Sequence, residues 1–368
     1  MEETAWPLLL PVPARRPLDT VDNAGGELRR GGIVKISAVD GTAALAIAAE
    51  AAPHSLPLLS RFATRPVAVA LTGQRAAILG LAHDGNPAVL VTAAGPLTVE
   101  QIAALADPLA SGSIGCGLTV SSAPQTSPAL GAVTLAKLAG LLPAAVLVAT
   151  AAAHEDLRQV DVNDILAYGN LSARSLSPLA AASAQLTDAG QCRIVPFGSA
   201  GRGPQHLALV IGEPGRAGPV LTRLHSECLT GDLLGSLRCD CGDQLRGAIA
   251  EIGRAGGGVL LYLAQEGRGI GLVNKLRAYD LQDAGFDTVD ANRQLGFGDD
   301  ERIYLSAAEM LHCLGFVQIR LLTNNPAKVD SLVRHGIVVT ERVPHVFPSN
   351  DHNEFYLRTK AKRSGHLF

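Results

Sequence analysis

Three of the chain's six cysteines, Cys228, Cys239 and Cys241, fall within 14 residues. Any fold must either bring them to one point or leave them as unrelated thiols. Ten residues separate the first two and one separates the last pair, so the chain can return to a single centre and place two sulfurs on it. Zinc suits thiolates, and three protein ligands leave a fourth position for water, the arrangement of a catalytic site. A closed structural clip completed by His225, or three buried thiols without metal, satisfies the same spacing. Three thiolates leave a zinc site negatively charged, which weakens the metal as an acid unless cations lie nearby. Arg223, Arg238 and Arg246 flank the cluster, and their guanidinium forks suit the oxygens of a polyanionic substrate, although each alone also reads as a solvated surface charge.

The rest of the chain bounds this reading. Its 368 residues are enough for two domains of ordinary size. With 31 basic and 34 acidic side chains the net charge is −3, which excludes the basic excess of a nucleic-acid binder. A charged fraction of 18% excludes a disordered polyelectrolyte. The longest uncharged apolar run, Leu138 to Ala153, has 16 residues broken by Gly140 and Pro143, short of the roughly 20 that span a bilayer. Glu2 and Glu3 stand where a secretory signal needs basic residues, so a cytoplasmic protein is expected. In that compartment the cysteines do not form a disulfide framework.

The halves differ in character. Residues 1–190 carry 11 basic and 15 acidic side chains, residues 191–368 carry 20 and 19. The first half, rich in Ala, Val, Leu and Gly, reads as a packed scaffold poor in catalytic groups. The Ser/Ala-rich stretch from Ser172 places the boundary near 188, giving domains 1–188 and 189–368. In the second half a helix through Leu245, Ile249 and Ile252 runs into a strand from Gly258. Ser306 and Glu309 fit a capping box for a helix ending at Gly315, and Asn325 with Pro326 opens another that Gly336 stops. Alternating helices and strands predict an α+β or mixed α/β fold, each domain a mixed sheet with helices packed on it.

Gln265-Glu-Gly-Arg-Gly-Ile-Gly-Leu follows a predicted strand and precedes a helix through Val273, Leu276 and Tyr279. Such a turn can approach an anion with backbone N–H groups, but its glycine spacing matches neither the dinucleotide fingerprint nor the P-loop. Gly296-Phe-Gly-Asp-Asp-Glu-Arg302 sets three carboxylates beside an arginine; alone it reads equally well as a capped loop.

Together, Arg-Leu-His-Ser-Glu-Cys-Leu-Thr-Gly-Asp, Ser-Leu-Arg-Cys-Asp-Cys-Gly, the Gln265 segment and Leu-Leu-Thr-Asn-Asn-Pro resemble GTP cyclohydrolase II from about Val220 to Phe368. The resemblance implies that Cys228, Cys239 and Cys241 hold zinc. It implies GTP contacts from Arg223, Leu224, His225, Ser226, Glu227, Gln244, Glu266, Gly267, Arg268, Thr288, Thr323 and Lys328. Asp300 matches the proton acceptor, Arg302 the residue assigned as nucleophile, and Tyr279 an active-site tyrosine. The implied reaction converts GTP into formate, pyrophosphate and 2,5-diamino-6-ribosylamino-4(3H)-pyrimidinone 5′-phosphate, with Mg²⁺ on the triphosphate, as the entry to riboflavin biosynthesis. A homodimer is implied as well, while the charge balance and the short apolar runs already argue against nucleic-acid and membrane partners. A guanidinium with pKa above about 12 is a poor nucleophile, so an electrostatic clamp on the α-phosphate is the physically cheaper role for Arg302.

More faintly, Val21-Asp-Asn-Ala, Leu28-Arg-Arg-Gly-Gly-Ile-Val and Asp164-Ile-Leu-Ala-Tyr168 resemble 3,4-dihydroxy-2-butanone 4-phosphate synthase. Where that enzyme has an acidic Mg²⁺-binding loop, this chain reads Val39-Asp-Gly-Thr-Ala-Ala. Asp40 alone cannot replace a carboxylate cluster, so a degenerate, inactive domain is expected, with a bifunctional enzyme or a non-catalytic zinc and GTP-binding regulator as alternatives. Cys116, Cys192 and Cys313 are expected to be buried free thiols; His206, His312 and His335 have no evident partner, and the basic tail Arg358 to Arg363 reads as solvated or near a dimer partner.

Overall fold

The computed structural model describes residues 12–81 and 85–349 with Arg363, Gly365 and Leu367; most of the basic tail lies outside them. The strands described form two mixed sheets with helices on them. Packing divides the chain into two units, one of Arg16–Tyr168 with Ile270–Glu301, the other containing Gly169–Gly269 and the residues from Arg302 onward.

The first unit holds β1 (Val34–Ser37), β2 (Ala43–Ala48), β3 (Ala68–Thr72), β4 (Ala88–Ala93), β5 (Leu118–Ala123), β6 (Ala144–Ala149) and β7 (Arg158–Asp161) in the order β5-β4-β3-β6-β2-β1-β7. All neighbours are antiparallel except β1 and β7. β2, β3 and β6 are buried along nearly their whole length, which is why they read as continuous Ala, Val and Leu rather than as alternation. Leu45, Ile47, Val69, Leu71 and Val146 pack with Leu59 and with Ile102 and Leu105 of the helix Val99–Ala106.

Ile270–Glu301 joins this unit although it lies in the other half of the sequence. Its helices Leu272–Asp283 and Thr288–Gln294 bury Ala278, Leu281, Ala291 and Leu295 with Ile270, Phe297 and Leu142. A boundary at 188 follows chain order, whereas packing sends this segment back. The helix expected through Val273, Leu276 and Tyr279 is present. Val273 and Leu276 are exposed while Asn274 and Lys275 are buried, because the Asn274 amide donates to the carbonyls of Ile270 (3.0 Å) and Gly140 (3.3 Å).

The second unit holds β8 (Ser177–Pro178), β9 (Ala182–Leu186), β10 (Gly190–Gly198), β11 (His206–Gly212), β12 (Val220–Ser226), β13 (Gly257–Leu263), β14 (Gln318–Leu322) and β15 (Val338–Val343). The order is β15-β14-β12-β13-β11-β10-β8, with β9 also on β10. The Ser/Ala stretch is therefore no simple linker, since it supplies two short strands. The helix Cys241–Arg254 connects β12 to its parallel neighbour β13 and packs Ala248 and Ile252 on Leu221, Leu260 and Leu322. On the opposite face Leu224, Val259 and Leu261 meet Ala307, Met310 and Leu311 of the helix Leu305–Leu314. Ser306 lies inside that helix, which begins after Tyr304 without a side-chain cap, so the capping box does not form; Gly315 ends it at φ +81 as expected. Asn325 does cap Pro326–Arg334, accepting from the Ala327 N–H. Among the remaining cysteines Cys192 is buried, but Cys116 and Cys313 are exposed.

Candidate active site

β12 pairs in parallel with both β13 and β14, so three carboxyl ends lie side by side. Ligands in open sheets bind beyond such ends, and three motif segments leave from this edge: Arg223 to Cys228, Gln265 to Arg268, and Thr323 to Lys328. Cys228 opens the helical turn Leu229–Asp232 and Cys241 the helix Cys241–Arg254.

The sulfurs of Cys228, Cys239 and Cys241 lie within 4.8 Å of one another, with Cys228 and Cys239 at 3.7 Å. Tetrahedral zinc with sulfur bonds of about 2.3 Å places sulfurs about 3.8 Å apart, so the group fits zinc. Gly231 supports the fit: a Cβ there would stand 2.7 Å from the Cys239 sulfur and 3.1 Å from that of Cys228. The Cys239 thiol is pushed above its ordinary pKa, first by its hydrogen bond with Cys228 and further by burial. A bound cation would let the crowded thiols ionise together.

His225 does not complete the cluster. Its Nε2 faces the Asp232 carboxylate at 3.0 Å, and its ring stacks on Tyr262 with centroids 5.6 Å apart. Burial, opposed by Asp232, lowers its pKa, so the neutral ring donates from Nε2. Asp232 also accepts from the Tyr262 hydroxyl (3.0 Å) and the Cys228 N–H (2.9 Å), fixing the loop that carries the first sulfur. Sequence reasoning misses this hub, because there Asp232 is one more carboxylate in a turn.

Of the three flanking arginines, Arg238 and Arg246 are exposed and Arg223 is buried. Arg223 donates to the Leu322 carbonyl at 3.0 Å and to the Gln244 side chain at 2.5 Å. Burial lowers its pKa to about 10, with Asp240 opposing; it stays charged at neutral pH. Lys328, also buried, donates to the Leu224 carbonyl at 2.9 Å. Glu266 accepts from the Leu229 and Gly267 N–H groups. Arg268 holds φ +63, a left-handed conformation shared only with His154 among described non-glycine residues. Such strain costs about 1–3 kcal/mol and gathers at functional sites. Thr323 accepts from the Asn325 N–H, while Leu224 is core and Glu227 half-buried.

Four buried polar atoms at this edge lack a partner: Arg223 Nε, His225 Nδ1, Ser226 Oγ and Gln265 Oε1. A buried unsatisfied group costs about 1–3 kcal/mol, so their concentration here marks a place built for a ligand. His345, which carries no motif signal, is buried and faces the Gln244 carbonyl through Nε2 at 2.9 Å. His206 and His312 likewise have partners in the Ala264 N–H and the His335 carbonyl.

Arg302 belongs to this unit, its guanidinium 5.3 Å from the Tyr304 ring centre. Tyr279, Thr288 and Asp300 belong to the first unit. There the Lys275 ammonium lies 5.8 Å from the Tyr279 ring centre, Thr288 starts a helix capped by Asp287, and Asp300 is exposed.

A family model described as GTP cyclohydrolase II matches residues 180–344. The chain is 50% identical over 375 residues to a GTP cyclohydrolase-2 of Azospirillum brasilense, covering 97% of each. It is 56% identical over 178 residues to a GTP cyclohydrolase-2 of Cronobacter sakazakii, covering 48% of this chain and 90% of that one. A riboflavin biosynthesis protein RibBA of Bacillus mycoides matches at 44% over 254 residues, 64% of this chain and 63% of the relative.

Proposed function

The chain belongs to the GTP cyclohydrolase II family, and from that premise we propose that it hydrolyses GTP to formate, pyrophosphate and 2,5-diamino-6-ribosylamino-4(3H)-pyrimidinone 5′-phosphate. In this reading Cys228, Cys239 and Cys241 hold zinc, and the product feeds riboflavin biosynthesis in the cytoplasm. The observation that carries it is the coincidence, at one sheet edge, of three sulfurs at zinc spacing with four orphaned buried polar atoms. When bound, zinc supplies a Lewis acid that lowers the pKa of water for attack at C8 of the guanine.

The chain's own residues supply the rest. Arg223 and Lys328 bring buried positive charge to the edge, offsetting the thiolates and attracting the triphosphate with its Mg²⁺. His225 Nδ1, Ser226 Oγ and Gln265 Oε1 offer hydrogen bonds to the nucleotide, and the strained turn at Gly267 and Arg268 brings backbone close to it. Glu227, Gln244, Glu266, Thr288 and Thr323 complete the GTP contacts. The Asp300 carboxylate accepts and returns protons, Tyr279 lends its hydroxyl, and Arg302 clamps the α-phosphate rather than attacking it. A guanylyl adduct trapped on the protein in a single turnover would reverse that last assignment.

The decisive assay measures formate and pyrophosphate from GTP before zinc is stripped, after stripping, and after its return. Products that vanish and reappear with zinc support the reading; GTP binding without formate, at full zinc, would make the protein a sensor. The first half is proposed to be inactive as a butanone phosphate synthase. Asp40, the carboxylate in the expected loop, is exposed and bonded to Thr42, and the Azospirillum relative, matched end to end, is named for the cyclohydrolase alone. Butanone phosphate formed from ribulose 5-phosphate above a protein-free blank would favour the bifunctional alternative. A homodimer is proposed as the assembly.

A further inference from the structure

Residues of the first half grip the segment Ile270–Glu301, all within the first unit. Arg75 is buried and spends its guanidinium on backbone carbonyls: Nε on Leu105 (2.9 Å), and one terminal nitrogen each on Ala104 (3.0 Å) and Gln294 (3.0 Å). These are last-turn carbonyls of two helices, without intrahelical partners and at the negative end of each dipole. Thr72 Oγ1 donates to the Gly296 carbonyl at 2.8 Å, and a Cβ at Gly296 would press on Pro143 and Thr72 at 3.0 Å. Farther along, Lys137 donates to Glu301 Oε1 at 2.6 Å, the oxygen that also accepts the Gly298 N–H at 2.6 Å. Upstream, Glu50 accepts from the Leu142 N–H at 2.9 Å and from Arg277, two residues before Tyr279, at 2.5 Å.

Asp300 stands between Gly298 and Glu301, on a stretch tied at one end by Arg75 and Thr72 and at the other by Lys137. We propose that Lys137 is a positioning residue of the cyclohydrolase reaction, fixing through Glu301 the backbone from which Asp300 projects. The inference rests on the proton-transfer role given to Asp300 above. The first half, lacking the expected carboxylate cluster, then serves to hold the segment that carries Asp300. A proton acceptor acts in the transition state, so its misplacement lowers kcat and spares KM. Misplacement by about 1 Å can cost on the order of a hundredfold.

The test uses the full-length, zinc-loaded protein and compares Lys137→Met, Lys137→Glu, the charge-swapped pair Lys137→Glu with Glu301→Lys, and Asp300→Asn. Expected are loss of turnover in Asp300→Asn, and in Lys137→Met a fall in kcat of about tenfold with KM for GTP and zinc content unchanged. The swapped pair should recover most of what Lys137→Glu loses. Wild-type kcat in Lys137→Met beside an inactive Asp300→Asn overturns this proposal and leaves the functional reading intact. The proposal is overturned in the same way if KM or zinc content moves instead of kcat, or if the swap recovers nothing. An Asp300→Asn variant that turns over normally overturns this proposal together with the proton-transfer role of Asp300, and leaves the cyclohydrolase reading standing.

Discussion

Replacing Gly231 by alanine separates zinc binding from folding. The added Cβ would lie 2.7 Å from the Cys239 sulfur, 3.0 Å from Cys241 Cβ and 3.1 Å from the Cys228 sulfur. Ordinary contact begins near 3.4 Å, so the Cys239 sulfur must retreat by about 3.4 − 2.7 = 0.7 Å. Without metal that thiol can rotate away. On zinc it cannot, since ligand distances tolerate only about 0.2 Å. Overpacking of this kind costs about 1–3 kcal/mol, which is about five- to 150-fold in zinc affinity. Gly231 sits in the helical turn Leu229–Asp232 and is absent from the positive-φ glycines. Alanine therefore adds no backbone strain and raises helix propensity by up to about 1 kcal/mol. Competition against a chromogenic chelator gives the affinity, and thermal unfolding of the zinc-free protein gives the control. Zinc affinity within threefold of wild type, with folding intact, would refute the assignment of these sulfurs as a preformed metal site.

Asp232→Ala strips the acceptor from the Tyr262 hydroxyl, the His225 ring and the Cys228 N–H. A loss of about 3 kcal/mol is expected, read as a lower urea midpoint at unchanged slope, and a shift under about 0.5 kcal/mol, the size of an ordinary surface substitution, would show that Asp232 is not the hub described. Burial holds both His206 and His345 near pKa 4, below the unfolded value of about 6.5. The unfolded chain thus binds more protons between those values, so this stability is complete above about pH 6.5 and is lost as pH falls toward 4, by up to about 3 kcal/mol per ring. His206→Gln, which keeps an acceptor for the Ala264 N–H, should flatten the acid limb of a stability-against-pH curve; an unchanged limb would contradict it.

Much of the second unit was legible because its signals are local. Asn325 with Pro326 and Gly315 each act within a few residues, and the structure keeps them where the sequence put them. The cysteine trio was legible from spacing alone as a metal candidate. Illegible were features that depend on what packs opposite. Val273 and Leu276 match a helical apolar face as well as Ala278 and Leu281 do, and only Leu142 and Gly140 across the contact decide between them. Asp232, Tyr262 and His345 gain meaning from partners 7 to 101 residues away. Ser306 does not cap because the helix already starts at Leu305, one residue earlier, where Leu305 and Ala308 are buried.

The return of Ile270–Glu301 to the first unit also sets an order of events during synthesis. When Tyr168 leaves the ribosome, the sheet order of β5 through β7 can be complete, but the side of Leu142 that later meets Ala278, Leu281 and Leu295 is still bare. At about 5–20 residues per second, the roughly 130 residues through Glu301 take about 7–27 s to arrive. For that interval Leu142 waits without the side chains that bury it in the finished protein, so the first unit completes its core only after most of the second half has been made.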